Sequence, residues 1–255
     1  MNLIDSHCHL DVADFDGDLQ ETLARAQQAG VGRFIVPAIS EAGWPHLADL
    51  AAKHRDLHPA YGLHPMFLAE HTDTHLDALP DWLKRPECVA VGECGLDFFV
   101  PGLDGKRQEV IFVEHLRLAA IHNKALIIHA RKATEQVIQL LRQHGPLRGV
   151  IHSYSGSLEQ ARQLTAMGFL LGIGGPITYP RSTRLRAIVQ EIPLQFLLLE
   201  TDSPDQPMSG EQGKRNEPSK LVRVAEAVAE IRGMSVAEVA GQTGLNAKRL
   251  FGLAA

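Results

Sequence analysis

Eight short apolar runs, each followed by a longer segment whose apolar residues recur at helical spacing, are the strongest constraint on this 255-residue chain. The runs fall at 2–6, 33–38, 58–63, 89–92, 125–128, 149–151, 169–173 and 196–199 and read as strands. Leu116, Ala119 and Ala120, then Leu158, Ala161 and Leu164, then Leu221, Val224, Ala225, Val228 and Ile231 carry the helical period. Regular strand–helix alternation predicts a parallel sheet, since each helix carries the chain back to start the next strand in the same direction. Gly30, Gly145 and Gly168 stand where helices want a left-handed C-terminal residue, and Pro180 and Pro218 stand near helix starts. Ser157 with Gln160 and Ser235 with Glu238 are capping-box patterns. Eight such units with no linker or low-complexity stretch predict an α/β fold, a (β/α)8 TIM barrel filling 1–255 as one domain, with one or two appended helices at about 235–253. The alternative is an open doubly wound sheet, whose dinucleotide-binding form is disfavoured because no Gly-x-Gly-x-x-Gly follows the first strand.

With 25 basic and 30 acidic side chains the formal net charge is −5, which argues against a protein that coats nucleic acid by neutralising phosphates but leaves a local basic site open. No basic stretch leads into an apolar segment at the N-terminus. No apolar run approaches the roughly 18 residues of a membrane span. Cys8, Cys88 and Cys94 lack Cys-x-x-Cys spacing and read as reduced thiols. The expectation is therefore a cytoplasmic protein with no membrane association and no obligate protein partner.

Histidine is the unusual residue, at 13 copies. In a barrel the C-terminal ends of the strands build the active site. There the sequence offers His7 and His9 after strand one, His64 after strand three, Glu93 after strand four, His129 after strand five, His152 after strand six and Asp202 after strand eight. Residues i and i+2 share a face of a strand, so His7 and His9 turn inward together while Cys8 turns outward. A lone histidine such as His64 is more often a hydrogen-bonded structural residue. The set of His7, His9, Glu93, His129, His152 and Asp202 is different, because these are metal-ligand types and buried carboxylates need a partner. Six ligands exceed what one zinc with an open position takes, whereas two divalent ions sharing a carboxylate would use them all. Ions about 4 Å apart favour hydrolysis of an ester.

Several segments together carry a resemblance. Asp5-Ser6-His7-Cys8-His9, Gly62-Leu63-His64-Pro65, Val91-Gly92-Glu93-Cys94-Gly95-Leu96-Asp97, Ile128-His129-Ala130-Arg131, Glu200-Thr201-Asp202-Ser203-Pro204 and Arg215-Asn216-Glu217-Pro218 resemble the TatD family of metal-dependent hydrolases, the TatD DNases. The resemblance runs from residue 3 to about residue 250 and implies an amidohydrolase-type barrel with two metals. For several family members it implies Mg²⁺-dependent nuclease activity. By position, His7, His9 and Asp202 would hold one ion, His129 and His152 the other, and Glu93 would bridge. Asp202 would take a proton from water, and His64 would touch substrate or a leaving oxygen. Cys94 where Ile is usual, Ala130 where Ser is frequent, and Ser153-Tyr154 before Ser155-Gly156 depart from the common pattern without removing a ligand.

Basic pairs follow the strand ends at Lys106 and Arg107, Arg131 and Lys132, Arg181 and Arg184, and Lys214 and Arg215. Any one pair can be satisfied by solvent or by Glu109, Glu135 or Glu217. As a set facing two metals they favour a phosphoester, with Arg131, Lys214, Arg215 and Asn216 as candidate substrate contacts. Tyr154, Tyr179 and Phe98 or Phe99 are the aromatics available for stacking on bases. The expected activity is thus a two-metal phosphodiesterase or deoxyribonuclease acting on nucleic-acid ends or small phosphoesters. The alternative is an amidohydrolase of a small ester, lactone or amide, against which stands Glu93 where many such sites carry a modified lysine. The histidine-rich ligand set suits Zn²⁺ or Mn²⁺, while the resemblance points to Mg²⁺.

Overall fold

The computed structural model describes residues 3–254. Asn2, expected to open the first strand, lies outside them. Eight strands, β1 (Leu3–Asp5), β2 (Val31–Pro37), β3 (Leu57–Tyr61), β4 (Ala90–Asp97), β5 (Ala125–Arg131), β6 (Gly149–Ile151), β7 (Leu170–Ile173) and β8 (Leu197–Leu199), form one sheet in sequence order. All seven neighbouring pairs from β1 to β8 are parallel. The helices are α1 (Leu19–Gln28), α2 (Trp44–Lys53), α3 (Asp73–Leu83), α4 (Gly105–His122), α5 (Thr134–His144), α6 (Leu158–Ala166), α7 (Thr183–Glu191), α8 (Leu221–Arg232) and α9 (Val236–Phe251). Among the described residues no helix is long and apolar enough to cross a membrane.

The sheet curls until its edges meet, which excludes the open doubly wound alternative. Ser6 N–H donates to Leu199 O at 3.0 Å and Asp202 N–H to His7 O at 2.9 Å, joining the first and last strands where they emerge at the C-terminal rim. The buried Asp5 carboxylate reinforces this seam by accepting from the Thr201 hydroxyl at 2.6 Å and the Thr201 N–H at 3.0 Å. Fully buried and thus poorly solvated, Asp5 has its pKa pushed up to about 8 in spite of these donors.

Two apolar clusters divide the interior. The larger fills the space between sheet and helices and includes Cys8, as the alternation at His7-Cys8-His9 predicts. The smaller lies inside the barrel, where Ile4, Ile35, Ala60, Ala90, Ile127, Val150 and Leu198 meet Ala247, Leu250 and Phe251 of α9. Thus α9 plugs the N-terminal mouth, fixed there by Asn246, whose amide donates to Leu194 O and Leu197 O at 2.9 and 2.8 Å. Both capping boxes form, Ser157 with Gln160 and Ser235 with Glu238. Gly30 and Gly168 adopt φ +87°. Gly145 does not, having φ −71° at the end of α5.

Strands β4 and β5 run past their expected ends, so Glu93 and His129 lie within the sheet rather than in loops. Gly95 lets them lie close, since a Cβ there would sit 2.1 Å from His129 O.

Candidate metal centre

At the C-terminal rim Glu93 is the hub. It lies in β4 with both carboxylate oxygens inside the barrel mouth and only 1% of its surface exposed. Oε2 is 3.1 Å from His7 Nε2 and 3.6 Å from His9 Nε2, whereas Oε1 is 2.8 Å from His64 Nε2 and 3.1 Å from both His129 Nδ1 and His152 Nε2. Asp202 Oδ1 lies 3.5 Å from His7 Nε2 and 3.6 Å from His9 Nε2. The structure therefore gathers all six expected ligands, with His64 added. Their donor atoms form three compact groups, His7 with Glu93 and His152, His7 with His9 and Asp202, and His64 with Glu93 and His129.

Whether a divalent cation fits can be judged from where the ring protons go. His9 Nδ1 donates to Pro37 O at 3.2 Å, leaving the Nε2 lone pair facing inward. His129 Nε2 donates to Asp97 Oδ2 at 2.9 Å, leaving Nδ1 free toward Glu93. Glu200 Oε1 stands 3.5 Å from His152 Nδ1, on the ring side away from Glu93. The acceptors on His9 and His129 are what metal-bound histidines normally require, whereas His7 Nδ1 and His152 Nδ1 are buried without a hydrogen-bond partner among the described residues. Glu93 Oε2 is buried without a hydrogen bond of its own, the kind of oxygen a cation satisfies.

His64 differs. Its Nδ1 accepts from Met66 N–H at 3.1 Å, so the neutral ring carries its proton on Nε2 and donates to Glu93 Oε1. Burial drives its pKa down to about 4 against the pull of Glu93. His64 is thus placed as a hydrogen-bond donor beside the ligand cluster. Two buried histidines that sequence reasoning missed hold its segment. His71 Nε2 donates to His64 O at 2.8 Å, and His115 Nε2 accepts from Leu63 N–H at 3.1 Å.

Charge in the cluster is balanced internally. Burial raises the Glu93 pKa, but the surrounding imidazoles of His64, His152 and His7 outweigh it and hold the carboxyl well below its usual range. Burial likewise opposes protonation of His9, yet Asp202 and Glu93 lift it to about 9. Such carboxylate–imidazole pairs exchange protons for a divalent cation. Asp202 sits at φ +57° and Ser153 at +45°, left-handed turns just beyond β8 and β6 that the surrounding bonds enforce. Asp202 Oδ2 accepts from Gln206 Nε2 at 2.5 Å, and Gln206 Nε2 also bonds Ser153 Oγ at 2.7 Å.

The candidate substrate contacts fare unevenly. Asn216 is fully buried, its amide donating to Thr201 O and Asp205 O at 2.9 Å, so it braces the loop that carries Asp202 and cannot touch substrate. Arg215 is drawn to Asp18 through two bonds of 2.7 Å and lies over the Phe15 ring. Glu217 pairs with Arg25 at 2.8 Å rather than with the rim arginines. Lys214 is exposed. Arg131 is exposed and stacks on Phe99, with its Cζ 3.8 Å from the ring centroid. Among the described residues Arg131, Arg181 and Arg184 have no carboxylate partner, unlike Arg107, which pairs with Asp73 at 2.6 Å. Asp97 and Glu200 were visible only as members of motifs; their roles depend on partners 32 and 48 positions away in the chain.

Relatives agree with this architecture. The chain is 40% identical over 251 residues to the uncharacterized metal-dependent hydrolase YjjV of Escherichia coli K12, covering 97% of each chain. It is 35% identical over 251 residues to the uncharacterized metal-dependent hydrolase YabD of Bacillus subtilis, covering 98% of each. The crystal structure of YjjV, described as a TatD homolog, superposes with a TM-score of 0.95 at 39% identity, covering 99% of this chain and 98% of that one. An organophosphorus hydrolase from Deinococcus radiodurans, at 14% identity and a TM-score of 0.64, shares the fold alone. Residues 4–252 match the family described as TatD related DNase, and the chain belongs to this TatD family of metal-dependent hydrolases.

Proposed function

We propose that this hydrolase is a two-metal phosphodiesterase acting on nucleic-acid ends. The observation that carries the reading is Glu93, whose two oxygens face two separate sets of imidazole nitrogens. His7, His9, Asp202 and Glu93 Oε2 would hold one ion, and Glu93 Oε1, His129 and His152 the other. Divalent ions there supply acidification of water and neutralisation of charge on the ester oxygens. Asp202, with a pKa of about 2 because His152, His9 and His7 outweigh its burial, stays ionised and can accept a proton while Gln206 fixes its orientation. His64 Nε2–H donates to Glu93 Oε1 here, and it would become a donor to an oxygen of substrate or leaving group once a cation takes that carboxylate oxygen.

Phosphoester preference rests on uncompensated cations beside the cluster. Arg181 and Arg184 line a cavity of about 390 Å³ between residues 153–156 and 181–185. Its Ser153 is bonded to Gln206, which in turn orients Asp202. A neutral amide offers these arginines no counter-charge, whereas a phosphate does.

The test is shortening of an end-labelled single-stranded DNA by purified protein with Mg²⁺, Mn²⁺ or Zn²⁺ supplied in turn, beside a Glu93→Ala variant. Metal-dependent cleavage lost in the variant supports the reading. Absence of cleavage by folded, metal-loaded protein overturns it and directs attention to small phosphoesters, lactones and amides.

A further inference from the structure

Among the described residues, the exposed large apolar side chains of the metal-bearing rim are confined to one sector. Met66, Phe98 and Phe99 are 42%, 43% and 52% exposed, and they follow the neighbouring strands β3 and β4. The two phenylalanines stand on a stiff support. Phe98 N–H donates to Arg131 O at 2.9 Å, extending the β4–β5 ladder by one step. The Phe98 ring lies against the start of α4, where a Cβ on Gly105 would be 3.3 Å from it. Phe99 N–H and Val100 N–H both donate to Asp97 Oδ1, at 2.8 and 3.0 Å. The other oxygen of that carboxylate receives His129 Nε2–H. One buried aspartate thus fixes both an imidazole of the metal cluster and the turn that presents Phe99.

Above Phe99 lies the Arg131 guanidinium, itself exposed and without a carboxylate. A planar cation stacked on a half-exposed aromatic ring is a surface that attracts flat, electron-rich heterocycles and the phosphates attached to them. An aliphatic chain or a plain apolar protein surface would gain nothing from the unpaired charge.

We propose that Phe99 and Arg131 form a stacking platform for the nucleobase next to the scissile phosphate. The platform engages the base by its flat face, so it serves every base alike and reads no sequence. The inference rests on the phosphodiesterase reading above and adds to it the part of the substrate that is gripped.

The test compares single-stranded oligonucleotides carrying natural terminal nucleotides with otherwise identical ones whose last two residues are abasic. Wild type, Phe99→Ala and Phe99→Tyr proteins are assayed for KM and kcat, and for binding by fluorescence anisotropy without turnover. Phe99 is exposed, so its replacement leaves the core intact. With wild type, natural ends should have a KM and a dissociation constant about tenfold below abasic ends, the low end of what base–aromatic stacking provides. Phe99→Ala should erase that advantage and Phe99→Tyr restore it. Equal KM for natural and abasic ends in an active wild-type enzyme overturns the platform while leaving the phosphodiesterase reading standing. No cleavage of any oligonucleotide sinks the phosphodiesterase reading, and the anisotropy arm then decides the platform: base-independent binding, or a change in oligomeric mass in Phe99→Ala as its only effect, overturns it.

Discussion

Asp97 Oδ2 lies 2.9 Å from His129 Nε2, on the ring nitrogen opposite the one that faces Glu93. This contact fixes which imidazole nitrogen keeps its proton and which presents a lone pair. Asp97→Asn removes the charge that holds the proton on Nε2, and divalent-ion affinity should fall about 10- to 100-fold. Isothermal titration with Mn²⁺ or Zn²⁺ reads this directly. Unchanged affinity would mean that Asp97 serves only the turn at Phe99 and Val100.

Because one carboxylate faces both histidine sets, occupancy of the two positions should fail together. Saturating Mn²⁺ or Zn²⁺ at about a hundredfold excess over Kd should raise Tm by roughly 5–10 °C, and a chelator should reverse it. Glu93→Gln should show no metal-induced shift at all. A variant that keeps half of the shift would show that one ion binds without the shared carboxylate.

Fully buried His115 donates from Nδ1 to Ile111 O at 2.7 Å and accepts Leu63 N–H, an arrangement that requires the neutral ring. Burial depresses its pKa to about 4, more than the Ile111 contact raises it. The folded value lies below the unfolded one, so its contribution is full above about pH 6.5 and is lost as pH falls toward 4. In urea titrations, the stability gap between wild type and His115→Gln should narrow by about 2 kcal/mol between pH 7 and roughly pH 5. A constant gap would contradict the neutral assignment.

Phe251, 4% exposed, belongs to the plug of the N-terminal mouth, at the opposite end of the barrel from the metal cluster. Phe251→Ala should cost about 3 kcal/mol, by loss of burial and creation of a cavity. Metal affinity below the lowered Tm should be unchanged. Calorimetry paired with metal titration separates the two, and weakened metal binding would show that plug and rim are coupled.

The six clustered side chains were legible in sequence because each sits within a few residues of a strand end, so a period-2 strand and the barrel rule carry it to one rim. The reach of β4 and β5 was not legible, since nothing in Gly92-Glu93-Cys94-Gly95 marks a strand that continues; pairing of Gly95 with His129 across two chain segments decides it. Asn216 was misjudged for a related reason. It follows the basic pair Lys214 and Arg215 in sequence, yet its amide serves three carbonyls of the 201–206 loop. Likewise the capping box at Ser235 and Glu238 announced an appended helix but not that its apolar face would enter the barrel. Side chains acting through distant partners leave no local pattern.

The seam between β1 and β8 brings His7 against Asp202, residues separated by about three quarters of the chain. During synthesis the first half of this cluster leaves the ribosome long before its counterpart exists. A nascent chain ending before residue 202 carries imidazoles without the carboxylate that completes them. The emerging polypeptide therefore cannot assemble the whole rim, and any hydrolytic capacity it confers, until translation has passed the last strand and the sheet has met its own beginning.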